Sequence, residues 1–192
     1  MRIHYSTSNR TKFLEAALVF QQEQVSGRYE LCHTPISLQE IQGSLDEIAT
    51  SKALSAFSIV KEPVIIDDFS VHCNALNGLP GPYIRAFLEK FSDIDLYKLL
   101  EKLGDLRGSL TSSIGYFDGK IPAPKIFSAT APFTIVLPRG EKLIHGMGWN
   151  RIALLEGQNK TIAEMDLKEF SLISPRSRAL GDLKNYLLQG AS

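Results

Sequence analysis

A chain of 192 residues with 44% hydrophobic content is long enough to bury a sizeable core, and it reads as one globular domain over residues 1–192. Acidic and basic residues balance at 21 each, so no whole-chain field draws it to nucleic acid or to a membrane, and any anion site has to be local. Cys32 and Cys73 are isolated thiols, which argues against a zinc site or disulfide framework and fits a reducing compartment; the opening MRIHYSTSN has no apolar signal core, and nothing approaches the ~20 apolar residues of a membrane span, so the expected location is the cytoplasm.

In chain order, residues 3–6 read as a short strand, and Asn9 is placed to cap a helix whose apolar face includes Phe13, Ala16, Ala17 and Phe20. Residues 31–37 suit a second strand, and residues 46–60 a helix with Ile48, Ala53, Ala56 and Phe57 for packing. Val64, Ile65 and Ile66 form a buried strand that ends in Asp67 and Asp68, followed by a Gly/Pro-dense turn running to Tyr83. Pro80 and Pro82 break the chain before a helix over residues 84–91, and residues 94–103 have the apolar spacing of another. Strands are expected at residues 108–116, 126–130, 133–137 and 152–155, and residues 174–188 close the chain as an amphipathic helix. Helices alternating with strands early and a strand-rich second half predict an α/β fold with two lobes and a central cleft between them.

Open α/β sheets present ligands at the carboxyl ends of their strands, which is where this reading puts Asp67 and Asp68. Paired carboxylates there are either hard-oxygen ligands for Mg²⁺ shared with substrate phosphates or two solvated acids opening a turn. In STSNRTK, residues 6–12, a strand runs into a helix N-terminus, so Asn9 and Lys12 either reach a phosphate or act as an N-cap and a solvated lysine. Lys52 and Arg85 are cations that decide nothing alone. Trp149, between Gly148 and Asn150 and preceded by Met147, is either a flat face for a nucleobase or a core tryptophan, and Arg176 offers a planar fork beside a helix start.

Taken together, STSNRTK, IIDD, NALNGLPGPYIRAFLEK, PRG, GMGWN, TIAEM and ISPRSRAL resemble, in order and spacing over essentially the whole chain, the inosine triphosphate pyrophosphatase or Ham1-like family. The NALNGLPGPYI segment followed by FLEK looks especially like the eukaryotic-type members. The resemblance implies a two-lobed, mixed-sheet α/β fold with a deep cleft, usually a homodimer. It also implies Mg²⁺-dependent hydrolysis of ITP, dITP and XTP to the monophosphate and pyrophosphate. Thr7, Asn9 and Lys12 match the family's phosphate turn, Lys52 its second phosphate lysine and Arg85 a third basic contact. Asp68 matches the acid that binds metal and activates water, with Asp67 beside it as a metal or supporting carboxylate. Gly148 and Trp149 match the base-stacking loop, which also holds Met147 and Asn150, and Arg176 matches the arginine that reads the purine carbonyl.

The departures from the family pattern fall at these same sites. Ser8 replaces a glycine of the phosphate turn, and Ser44 stands where a metal-binding glutamate is usual, with Asp46 and Glu47 near enough in sequence to move in. Met147 replaces an aromatic, Asn150 an aspartate, Phe170 a lysine and Pro175 a histidine. Discrimination built on buried polar pairs reaches ~10⁴-fold, so losing several predicts relaxed or redirected base choice. Two functions follow: a nucleoside triphosphate pyrophosphatase with altered specificity, or a nucleotide-binding homologue without turnover that serves as a regulator or partner subunit.

Overall fold

The computed structural model describes residues 1–21, 27–141 and 148–189. In chain order the elements are β1 (Arg2–Ser6), α1 (Arg10–Phe20), β2 (Glu30–His33), α2 (Leu45–Val60), β3 (Val64–Cys73), β4 (Pro80–Gly81), α3 (Ile84–Leu88) and α4 (Asp93–Leu103). There follow β5 (Arg107–Phe117), β6 (Lys125–Ile135), β7 (Ala153–Leu155), α5 (Leu167–Ser171) and α6 (Pro175–Gln189). The result is a mixed α/β chain that divides into two compact units. The first holds Met1–Asp68, Ser112–Ala129 and Pro175–Ser192, the second Phe69–Thr111 and Thr130–Ser174.

In the first unit β1 lies between β2 and β3 and runs parallel to both, with Tyr5 opposite His33 on one side and Ile65 on the other. Parallel neighbours need crossovers, which α1 and α2 supply. Asn9 starts α1 by accepting from the amides of Thr11 and Lys12, and Ser44 starts α2 through a reciprocal capping box with Glu47. Pro175 opens α6, where its missing N–H leaves no bond unmade.

Strand side chains alternate between faces, and here the alternation sorts the core. Ile3, Tyr5, Ile65 and Ile114 pack with Ala16 and Phe20 of α1 and Leu180 and Leu183 of α6. Val64 and Ile66 turn the other way, onto Ala49, Ala53 and Ala56 of α2. The alanine stripe brings this helix close: a Cβ on Gly115 of β5 would stand 3.1 Å from the Ala49 carbonyl oxygen and 3.0 Å from Ile66 Cγ1. Glycine at 115 is what lets α2 lie on β5.

In the second unit β4 pairs antiparallel with the later part of β3, and β7 antiparallel with β6. Its core gathers Val71, Leu96, Leu100, Leu110, Phe133, Trp149, Ile152 and Phe170. Ser92 and Asp95 cap the start of α4, and Gly104 in the left-handed region (φ 84°) ends it.

Several sequence expectations are corrected. The strand expected over residues 31–37 stops at His33, and the helix expected over 84–91 ends at Leu88. The strands expected at 126–130 and 133–137 are one strand, because Pro132 is exposed and its carbonyl still accepts from the Glu156 amide. Most consequentially, β3 does not end at the acids but continues to Cys73, since Val71 and Cys73 carry the inward alternation into the second unit's core. No helix among the described residues is long and apolar enough to cross a membrane.

Candidate active site

Because β3 runs straight through them, Asp67 and Asp68 point to opposite faces of the strand. Asp67 joins Tyr5 and Ile65 on the side of α1 and α6, whereas Asp68 joins Ile66 on the side of α2. The neighbouring acids therefore organise two charge clusters, both inside the first unit.

Asp67 is the centre of the first. Its Oδ1 accepts from Lys12 Nζ at 3.4 Å and Ser112 Oγ at 3.3 Å, and its Oδ2 from the Tyr5 hydroxyl at 2.8 Å and from Arg176 Nε. Lys12 Nζ also donates to the Asp67 carbonyl at 3.0 Å. Arg176 Nη1 donates to Glu15 Oε2, and Ser177 Oγ to Glu15 Oε1 at 3.1 Å, so the guanidinium lies between two buried carboxylates. Burial pushes the Asp67 carboxyl up, but the Arg176 and Lys12 charges outweigh it and hold its pKa below the ordinary value. Burial lowers the Lys12 ammonium against the pull of Asp67, and it raises the Tyr5 phenol.

In the second cluster Lys52 Nζ donates to Asp68 Oδ1 at 3.1 Å and to Glu40 Oε1 at 2.6 Å. Asp68 Oδ2 lies 3.0 Å from the same ammonium yet is buried without a hydrogen-bond donor. Burial wins at Asp68: its pKa is raised although Lys52 and Lys12 pull it down. Lys52 goes the other way, since Asp68 and Glu40 outweigh its burial and raise it.

The turn at residues 6–12 abuts the first cluster through Lys12. Thr7 Oγ1 accepts from the Asn9 amide at 3.1 Å, and Asn9 Oδ1 accepts from Thr11 and Lys12, so the Asn9 side chain is spent on capping α1. Ser44 is likewise a cap, its amide and hydroxyl both donating to Glu47 Oε2, at 2.8 and 2.7 Å. Asp46 Oδ1 accepts from Ser113 Oγ at 2.9 Å and Ser128 Oγ at 3.2 Å. Neither neighbouring acid has moved in for the missing glutamate; both are held by serine hydroxyls. Among the described residues no cluster of three or more His, Cys, Asp or Glu side chains is arranged to hold a metal ion.

The other expected site residues belong to the second unit. Arg85 is exposed on α3, 3.9 Å from Glu89 in a helical surface pair. Gly148 opens a short 3₁₀ turn that carries Trp149 and Asn150. Trp149 is 4% exposed, stacked on Phe69 (centroids 5.5 Å apart) and tilted against Phe133, so its ring is part of a core. Trp149 Nε1 and Asn150 Nδ2 are buried donors without a hydrogen-bond partner among the described residues. Met147 lies outside the described residues. Phe170 is also core, at 5% exposed. Tyr5, Glu15 and Ser112 went unread in the sequence because each sits in an apolar or featureless context; an acid on the buried face of α1, one helical turn after Lys12, was the available signal.

The first unit is thus a mixed α/β unit that sets two lysines against two adjacent strand carboxylates beside a capped helix start. The model of the Ham1 family matches residues 3–186, and the chain belongs to that family. The inosine triphosphate pyrophosphatase of Phaeosphaeria nodorum is 33% identical over 97% of this chain and 94% of its own length. The enzyme of the same name from Ajellomyces capsulatus is 35% identical over 97% of each. In fold, the chain is similar to a HAM1 protein from Coxiella burnetii (TM-score 0.81, 24% identity, 98% and 99% covered) and to the Staphylococcus aureus Ham1 protein (TM-score 0.79, 25% identity, each covered in full).

Proposed function

We propose that this chain is a nucleoside triphosphate pyrophosphatase that hydrolyses deaminated purine nucleotides (ITP, dITP and XTP) to the monophosphate and pyrophosphate. The observation that carries the reading is the convergence of Lys12 and Lys52 on the Asp67–Asp68 dipeptide within one unit of a Ham1 family chain.

Water attacks the α-phosphorus, the bond to the α–β bridging oxygen breaks, and pyrophosphate leaves with the electron pair. Asp68, its proton affinity raised by burial, is the carboxylate suited to take the water's proton. Lys12 has used two acceptors, both on Asp67, so its remaining N–H, with the ammonium of Lys52 once a phosphate displaces Glu40, meets charge developing on the phosphate oxygens. Thr7, Asn9 and Arg85 are phosphate contacts by the resemblance alone, since the Thr7 and Asn9 side chains already hold the start of α1 and Arg85 pairs with Glu89 in the second unit.

A divalent ion, Mg²⁺ by resemblance, fits this donor set in one manner. Asp67 has its oxygens filled by four donors, whereas Asp68 is held, among the described residues, by Lys52 alone, its Oδ2 in an ion pair without a hydrogen bond, so Asp68 is the carboxylate that would turn to the ion as Lys52 turns to a phosphate, and the substrate's phosphates supply the rest. When bound, such an ion polarises the phosphoryl oxygens and lowers the pKa of attached water. Asp67 then acts as the anchor of Lys12 and Arg176 and not as a ligand.

The base falls to Gly148, Trp149, Asn150, Met147 and Arg176 in this reading, with loose selection, because Arg176 is already committed to two carboxylates and Phe170 to a core. The homodimer and the cytoplasmic location belong to the same proposal. Ser44 acting as a helix cap favours a second reading, binding without turnover.

A phosphate-release assay with added inorganic pyrophosphatase, run on ITP, XTP, GTP and ATP with and without Mg²⁺, decides between the two. Mg²⁺-dependent release from ITP with modest preference over GTP and ATP is expected; nucleotide binding without release establishes the second reading. Sharp rejection of GTP and ATP overturns the loose base selection.

A further inference from the structure

We infer that His33 is a positioning residue for the phosphate turn, a role that rests on the hydrolase reading above. His33 ends β2, and its Nε2 lies 2.9 Å from the Thr7 carbonyl oxygen. A carbonyl only accepts, so Nε2 carries a proton whichever form Nδ1 takes. The ring also stacks on Phe13 of α1, with centroids 4.6 Å apart and planes 20° from parallel. The imidazole is thus fixed from two directions, by the helix beneath it and by the carbonyl at its edge.

The consequence falls on the next peptide group. The Thr7–Ser8 bond is trans, so its carbonyl and the following N–H point opposite ways. Holding the Thr7 oxygen toward β2 aims the Ser8 N–H away from it. The amides of Asn9, Thr11 and Lys12 are already taken, by Thr7 Oγ1 and Asn9 Oδ1. The Ser8 amide is therefore a backbone donor that this turn can present to a phosphate oxygen alongside Lys12, and His33 sets its direction. The Thr7 hydroxyl does not do this, since it is engaged with the Asn9 amide.

The test separates the ring from the donor. H33F keeps an aromatic surface for Phe13 and deletes the hydrogen bond; H33Q puts an amide N–H near the position of Nε2. Each variant is compared with the unaltered chain for ITP hydrolysis, for calorimetric binding of inorganic triphosphate, and for thermal midpoint. H33F is expected to raise KM for ITP and Kd for inorganic triphosphate about tenfold, with kcat within about twofold, and H33Q to recover most of the loss. A folded H33F with unchanged KM and Kd overturns the role, as does a loss that H33Q does not recover. If H33F does not fold, H33A takes its place with the same outcomes. An unaltered chain that neither hydrolyses ITP nor binds inorganic triphosphate overturns the hydrolase reading and this role with it, whereas an active chain indifferent to H33F overturns this role alone.

Discussion

Arg176 and Glu15 are 161 positions apart in the chain, yet the Arg176 guanidinium donates to the Glu15 carboxylate in the interior of the first unit while its Nε reaches Asp67. Two helices and a strand are tied by one side chain whose charge is matched on both sides.

Removing one member of such a set leaves the others buried without compensation. Arg176→Met and Glu15→Gln are each expected to cost about 3–5 kcal/mol, because the penalty of a stranded buried charge exceeds the worth of the pair. Urea unfolding at neutral pH measures this; a cost below about 1 kcal/mol means that water reaches the cluster and screens it.

The two adjacent acids should respond to amidation with opposite signs. Asp67 has a folded pKa below its unfolded value of about 3.9, so it contributes stability above that pH and loses it as the pH falls through the folded value. Asp68 has a raised folded pKa, so it is neutral in effect below about pH 4, and its destabilisation grows as the pH rises from the unfolded value through the folded one. At neutral pH Asp67→Asn should lower the urea midpoint and Asp68→Asn raise it, with the Asp68→Asn gain vanishing near pH 3.5. Asp68→Asn should also abolish Mg²⁺-dependent pyrophosphate release while the fold persists, and unchanged turnover would remove Asp68 from the chemistry.

Restoring a carboxylate at position 44 trades a cap for a ligand. Ser44→Glu gives up the hydroxyl that holds Glu47 and should cost about 1 kcal/mol of stability. If the chain is impaired by the lack of that acid, the same substitution raises turnover or lowers the Mg²⁺ concentration needed. No change in either means that Asp68 and the substrate suffice.

Trp149 is a core residue by its contacts with Phe69 and Phe133, so Trp149→Ala should destabilise by about 3–5 kcal/mol, as loss of a large buried aromatic does. A variant that keeps its stability and loses only nucleotide affinity would assign the ring to ligand stacking. Since the chain has one tryptophan, its emission reports the burial directly.

Local signals read well from the sequence: Asn9 as a cap, the small-residue face of α2 and the apolar run into Asp67 are where spacing put them. What spacing did not show is that the adjacent acids face opposite sides of a strand. The apolar run stops at Ile66, and only the packing of Val71 and Cys73 reveals that the strand continues. Glu15 was illegible for a different reason, since its partners come from β3 and the far end of the chain. Ser44 and Asn9 carry both a motif and a cap, and spacing alone does not say which one the backbone uses.

The split of Asp67 and Asp68 across β3 makes the alignment of this strand against β1 a determinant of chemistry as well as of packing. A deletion of one residue between α2 and Val64 that shifted the strand by a single position would set Asp68 in the place of Asp67 against Lys12, put Phe69 in the place of Asp68 against Lys52, and turn Ile65 and Ile66 the wrong way together. Charge pairing and hydrophobic order are thereby locked to one frame, and a change able to re-pair the two carboxylates has to unmake the core first.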